Sequence, residues 1–163
     1  MTIFIRSAHE RDLPAISKLL GETWHATYDA IYGVERVAEI TVEWHSVAAL
    51  KDNLAKPHSE FILADTGDRI LGMAYASMVD GETAMLHQLY VHPAGQGSGT
   101  GTLLLEEIIG CFPGAQKLRL EVEEANSAAV AFYKRQAFKQ VGQTSNCGKA
   151  DSGIPALIFE KSL

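Results

Sequence analysis

Basic residues are in deficit in this sequence: 14 Lys and Arg stand against 20 Asp and Glu, a formal net charge of −6. Binding to nucleic acid through its phosphates calls for a basic patch or stripe, so the balance argues against a nucleic-acid partner. It suits a cationic substrate, although acidity also serves solubility in many proteins. Cysteine is nearly absent. Cys111 and Cys147 show neither metal-ligand nor redox spacing, which argues against a disulfide scaffold or a cysteine metal centre. Long apolar runs are missing too, so no segment reads as spanning a bilayer. The opening Met1-Thr2-Ile3-Phe4-Ile5-Arg6 lacks the charged-then-apolar layout of a secretory signal. Together these features predict a cytoplasmic protein without disulfides and without a membrane partner.

What is present is the composition of an ordinary globular domain, 47% hydrophobic and 21% charged. A chain of 163 residues buries about 70% of its unfolded surface in one core, and we read residues 1–163 as a single domain. Ile3–Arg6 alternates as a short strand. Asp12-Leu13-Pro14 starts a helix expected to reach about Glu22, and Tyr28–Lys51 is helix-like again, with Val34, Val37, Ile40, Trp44 and Val47 at helical spacing. Phe61–Ala64, Ile70–Val79 and Thr83–Val91 read as an antiparallel meander turning at Asp65-Thr66-Gly67-Asp68 and Asp80-Gly81. A helix from about Gly99 to Ile109, a strand Lys117–Val122 and a helix Ser127–Gln136 follow. Strands Phe138–Val141 and Ala156–Glu160, separated by a polar loop Gln143–Gly153, end the chain. The expected order is β-α-α-β-β-β-α-β-α-β-β, without repeats.

The most informative segment is Leu89-Tyr90-Val91-His92-Pro93-Ala94-Gly95-Gln96-Gly97-Ser98-Gly99-Thr100-Gly101-Thr102, where an apolar strand stops and a glycine-rich loop opens a helix. Backbone N–H groups at a helix N-terminus lack intrahelical partners and carry the positive end of the macrodipole, so this arrangement holds an anion such as phosphate. A nucleotide P-loop is excluded because Gly101 is followed by Thr102-Leu103 rather than Lys-Ser or Lys-Thr. A dinucleotide fingerprint fits poorly: its third glycine falls at Thr102 or at Leu104.

What remains, Gln96-x-x-Gly99-x-Gly101 behind Leu-Tyr-Val-His-Pro, resembles the acetyl-CoA loop of the GNAT superfamily of N-acetyltransferases. A second block is similar to that family in the same order: Leu118-Arg119-Leu120-Glu121-Val122, then Asn126, Ala129, Tyr133 and Phe138. The resemblance covers nearly the whole chain. It implies the GNAT acyl-CoA N-acyltransferase fold, an α/β (α+β) class with a mixed, mostly antiparallel sheet, a splayed central strand pair and flanking helices. It leaves a homodimer open.

The resemblance also implies roles. The backbone of Leu89, Tyr90 and Val91 holds the pantetheine arm, with one N–H facing the thioester oxygen as an oxyanion donor. Gln96, Gly97, Ser98, Gly99, Thr100, Gly101 and Thr102 wrap the pyrophosphate, the three hydroxyls supplementing the backbone. This loop departs from the common form in having no Arg or Lys between Gln96 and Gly101, so charge-assisted contacts are missing there. Tyr133 has two readings, a packed aromatic and the acid that protonates the departing thiolate. Asn126 caps its helix, contacts the cofactor, or does both. Ala137 replaces the family's glycine after that helix, at a cost of about 1 kcal/mol if its backbone is left-handed.

An attacking amine must lose a proton, and the strand before the loop, Ala84-Met85-Leu86-His87-Gln88-Leu89, holds no carboxylate. His87 has a reference pKa of about 6.5 that suits a base. A structural histidine, Glu82 and a water chain stand beside it. Trp24, Tyr28 and Tyr32 recur every four residues as candidates for the acceptor pocket, although an aromatic stripe more often belongs to a core. The resulting expectation is an acetyl-CoA-dependent N-acetyltransferase acting on a primary amine by direct attack in a ternary complex. The alternative is a catalytically silent CoA-binding regulatory domain.

Overall fold

The computed structural model describes residues 2–148 and 152–163; part of the expected polar loop, 149–151, lies outside them. The chain runs β1 (Phe4–Ser7), α1 (Leu13–Tyr32), α2 (Val34–Trp44), α3 (Val47–Ala55), β2 (Ser59–Asp65), β3 (Ile70–Met78), β4 (Thr83–Val91), α4 (Thr100–Gly110), β5 (Lys117–Glu123), α5 (Ser127–Arg135), β6 (Lys139–Thr144) and β7 (Ala156–Ser162). Seven strands form one mixed sheet in the order β1-β2-β3-β4-β5-β7-β6. The expected antiparallel and mixed class is met: β1 with β2, β5 with β7 and β6 with β7 are antiparallel, and β4 with β5 is parallel. No helix among the described residues is long and apolar enough to cross a membrane.

Contacts group the residues into two compact units, Met1–Ala76 with Gln88–Cys111, and Ser77–His87 with Phe112–Leu163. In the first unit, α1 buries Leu13, Ile16, Leu20, Trp24 and Tyr28 along one stripe. Leu13, Ile16, Leu19 and Leu20 share a core with Leu50, Phe61, Leu63, Met73 and Tyr75. That continuous stripe corrects the expected helix boundary. Nothing between Glu22 and Tyr28 breaks the helix, so α1 continues to Tyr32 and stops at Gly33, whose φ of 88° leaves the helical region. The second stretch is itself two helices, because Ser46 caps α3 by accepting the Ala49 N–H at 3.2 Å. There are thus three helices where two were expected.

A charged clasp ties β1 to its surroundings in this unit. Arg6 donates from Nη1 and Nη2 to the two oxygens of Asp12, both at 2.9 Å, and from Nε to Asp65 at 2.9 Å. The Arg6 hydrogen bonds hold the carboxyl of Asp12 down to about 2 from an ordinary 3.8, against a smaller opposing effect of burial. A depressed carboxyl stabilises the fold above its unfolded pKa, and that contribution is lost as pH falls. Stability should therefore drop by about 2 kcal/mol between roughly pH 4 and pH 2 from this group. Urea unfolding across that window checks it. Asp12→Asn should lower stability at neutral pH and flatten the acid limb.

In the second unit, β5 alternates buried Leu118, Leu120 and Val122 with half-exposed Lys117, Arg119 and Glu121. It pairs with β7 along its whole length, from Lys117 opposite Ser162 to Glu123 opposite Ala156. Its parallel ladder with β4 is much shorter. Thr83–Leu86 pair with Lys117–Leu120, and both strands continue beyond. Strand β6 begins one residue later than expected because Phe138 is used by the end of α5, as described below. It reaches Thr144, with a register shift between Gln140 and Gly142.

Candidate active site

The glycine loop belongs to the first unit, and its conformation is set by hydrogen bonds that its own side chains make. After β4, Pro93–Gly95 form one 3-10 turn capped by His92, whose Nδ1 accepts the Ala94 N–H at 3.1 Å. Gln96 folds back, donating from Nε2 to the Val91 carbonyl at 3.0 Å. Ser98 Oγ donates to the Gly95 carbonyl and lies 2.8 Å from Thr100 Oγ1. Ser98 has one hydroxyl proton, so Thr100 donates to it. In this structure both hydroxyls are engaged within the loop and shape it.

Several backbone N–H groups of the loop stay unengaged among the described residues. Gly97 and Gly99 take φ of 77° and 83°, in the region that favours glycine, and a Cβ on either would meet open space. The first intrahelical bond of α4 runs from the Leu103 N–H to the Gly99 carbonyl at 3.0 Å. The N–H groups of Gly97, Gly99, Thr100 and Gly101 have no hydrogen-bond partner among the described residues. They sit at the positive end of α4, which fits a pyrophosphate without a basic side chain. Thr102 follows in the first turn of α4. Leu89, Tyr90 and Val91 form the strand end that feeds the loop.

A residue outside the expected site positions supports this strand end. A Cβ on Gly72 of β3 would lie 2.8 Å from the Tyr90 carbonyl oxygen and 3.0 Å from Leu104 of α4. Only a residue without a side chain lets β3, β4 and α4 approach this closely. The signal was a glycine inside a strand pattern.

Of the proposed acceptor aromatics, Trp24 and Tyr28 are buried, each about 1% exposed, and Tyr32 is partly exposed. Tyr28 stacks on Tyr32 with centroids 5.5 Å apart, and Trp24 touches the rings of Tyr28, Trp44, His45 and Tyr90. Burial pushes His45 down to about 4, so its ring is neutral inside this cluster.

Tyr133 and His87 both belong to the second unit. Tyr133 is buried and stands between Phe132 and Phe138, both edge-on at centroid distances of 5.2 and 5.5 Å. The end of α5 fixes it there. Ala137 adopts φ of 70°, the Phe138 N–H bonds the Tyr133 carbonyl and the Ala137 N–H bonds the Lys134 carbonyl, each at 3.1 Å. This is a Schellman cap whose apolar contact is the Tyr133–Phe138 pair. The condition stated for Ala137 is therefore met, and its backbone is left-handed. Ala137→Gly should stabilise the protein by up to about 1 kcal/mol, raising Tm by roughly 2–4 °C, which calorimetry checks. Asn126 caps the other end of α5, accepting the Ala129 N–H at 3.2 Å.

Burial, and secondarily the charge of Glu123, pushes the Tyr133 phenol above its ordinary value, so it is protonated at neutral pH. His87 is exposed on β4, and its Nε2 lies 2.7 Å from Oγ of the buried Ser77. Glu123 is a buried carboxylate that the sequence reading passed over. The Cys147 thiol lies against it at 3.8 Å, and burial raises that thiol, as it does Cys111. Neither cysteine is a ready thiolate nucleophile.

The Acetyltransferase (GNAT) family model matches residues 18–138, which include the glycine loop and Tyr133. N-alpha-acetyltransferase RimI of Mycobacterium tuberculosis is 36% identical over 99 residues, 58% of this chain and 61% of that protein. The chain thus spans about three fifths of that relative. Spermidine N(1)-acetyltransferase of Thermoplasma acidophilum is 29% identical over 145 residues, 85% of this chain and 89% of that protein. The crystal structure of the PaiA N-acetyltransferase of Thermoplasma acidophilum in complex with coenzyme A shares the fold with a TM-score of 0.88, at 25% identity and over 100% of both chains. With the family match running from α1 through the loop to the end of α5, the chain belongs to the GNAT family of acetyltransferases.

Proposed function

We propose that this protein transfers an acetyl group from acetyl-CoA to a primary amine, by direct attack within a ternary complex. The observation that carries the reading is the row of unpartnered N–H groups at Gly97, Gly99, Thr100 and Gly101, aligned with the positive end of α4. Acetyl-CoA supplies a pyrophosphate for such a row and an acyl thioester for the transfer. The coenzyme A in the PaiA acetyltransferase complex supports the same donor here.

The loop from Gln96 to Thr102 grips the pyrophosphate, and Leu89, Tyr90 and Val91 present main chain to the pantetheine arm, one N–H serving the developing oxyanion. Tyr133 keeps a proton on its phenol oxygen for the departing sulfur. Asn126 holds the start of the helix that carries Tyr133. The raised thiols of Cys111 and Cys147 leave no evident covalent carrier, which supports direct attack. Their free state suits a reducing compartment such as the cytoplasm. We read the two units as one catalytic domain, since the family match runs through residues of both.

The acceptor is an amine. The net charge of −6 and the similarity to a protein named spermidine N(1)-acetyltransferase favour a cationic one. We assign Tyr32, partly exposed, to the acceptor pocket, with Trp24 and the stacked Tyr28 packed beside it as its buried support. His87, its ring fixed by Ser77, takes the proton from the attacking amine, directly or through water. The rate profile tests this. kcat/KM should rise with a pKa in the histidine range for amines of different basicity, and His87→Gln should lower the rate and remove that limb. A limb that follows the amine and survives in His87→Gln returns His87 to a structural role.

A further inference from the structure

His92 uses every polar atom it has. Its N–H donates to the Leu71 carbonyl of β3 at 2.7 Å, and its carbonyl accepts the Gly95 N–H at 2.8 Å. Its ring Nδ1 accepts the Ala94 N–H at 3.1 Å, and its Nε2 meets Glu22 Oε2 of α1 at 2.7 Å. An atom that accepts an N–H carries no proton, so Nδ1 is bare and the ring proton sits on Nε2, donated to Glu22. The imidazole thus joins helix α1 to the first turn of the glycine loop, while the His92 main chain holds strand β3, and only 16% of the side chain is exposed. Glu22 is in turn 3.9 Å from Lys18. The links continue into the loop: Gly95, held by the His92 carbonyl, accepts from Ser98, and Ser98 meets Thr100 at the mouth of α4.

We propose that His92, oriented by Glu22, is a positioning residue for donor binding: it fixes the start of the glycine loop so that the row of N–H groups is preformed for the acetyl-CoA pyrophosphate. This rests on the donor assignment above. A preformed site binds more tightly because ordering is not charged to the ligand. The consequence is confined to the donor. Loss of the imidazole should raise Kd and KM for acetyl-CoA and leave turnover at saturating donor nearly untouched.

Calorimetric titration of acetyl-CoA into the wild type, His92→Ala, His92→Asn and Glu22→Ala, with steady-state kinetics and Tm on each, tests it. His92→Ala should weaken binding about tenfold, with kcat changed less than about twofold and KM for the amine unchanged. His92→Asn keeps an oxygen able to accept the Ala94 N–H and should recover much of the affinity. Glu22→Ala should weaken binding by a smaller factor, and should do nothing further once His92 is gone. A wild type that does not bind acetyl-CoA overturns the donor assignment and this inference with it. A wild type that binds, with His92→Ala binding equally well, overturns this inference alone. So does a His92→Ala protein whose kcat and Tm fall together and are not restored in His92→Asn, which marks a merely structural residue. If His92→Ala does not fold, Glu22→Ala binding as tightly as the wild type has the same overturning force.

Discussion

Gly99→Val should abolish binding of acetyl-CoA while leaving the protein folded. In the wild type, acetyl-CoA at a hundredfold excess over its Kd should add about 2.7 kcal/mol of stability, which for a chain of this size raises Tm by roughly 5–10 °C. NADH and ATP should give no such shift, because the loop lacks the P-loop lysine and the third glycine of a dinucleotide fingerprint. Gly99 takes φ of 83°, and a Cβ there meets no protein atom within 4 Å. Valine at this position therefore places its first side-chain atom in open space beside the proposed pyrophosphate site. Its left-handed backbone costs about 1–2 kcal/mol, well short of unfolding. Differential scanning calorimetry with the three ligands reads both effects. A full acetyl-CoA shift retained in Gly99→Val means the loop is not the site, and equal shifts with all three ligands mean the donor class is wrong.

Tyr133→Phe should lower turnover by roughly ten- to a thousandfold with acetyl-CoA binding little changed, since it deletes the phenolic proton and keeps the ring. The packing makes this a clean test. The edge-on contacts with Phe132 and Phe138 and the Schellman cap depend on the ring and the backbone, so the variant should fold as the wild type does. The raised phenol value predicts in addition that no alkaline loss of activity from Tyr133 itself sets in near its ordinary pKa of 10. Stopped-flow measurement at saturating substrates, with chemistry established as the slow step, supplies the rate. Turnover equal to that of the wild type leaves Tyr133 as a packed aromatic only.

The strand and loop of the proposed site were legible because their signals are local. Thr83–Val91 begins and ends where alternation and proline place it, and the glycine spacing with the missing Lys-Ser or Lys-Thr pair separated one anion loop from two others. Ala137 drew attention only by comparison with the family's glycine, and its left-handed φ of 70° is a finding of the structure. The helices were less legible. Whether Glu22–Tyr28 is helix depends on Trp24 and Tyr28 finding a core, which is a tertiary matter, and only Gly33 marks the true end of α1. Side-chain hydrogen bonds were legible least. Nothing in the residue order says that Ser98 and Thr100 spend their hydroxyls on the loop, that Gln96 returns to Val91, or that Gly72 sits under the Tyr90 carbonyl. Each depends on partners brought together by the fold, or on a close approach of two strands.

Release of free thiol from acetyl-CoA, followed in parallel with mass analysis of the amine, is the most direct measurement, with spermidine and a panel of other primary amines as acceptors. An N-acetyltransferase predicts thiol release that requires the amine, matches it one acetyl group to one thiol, and falls in both Gly99→Val and Tyr133→Phe. Binding of acetyl-CoA with no amine-dependent thiol release across the panel, or release in equal amount from Tyr133→Phe with chemistry rate-limiting, contradicts the assignment of this site to acetyl transfer.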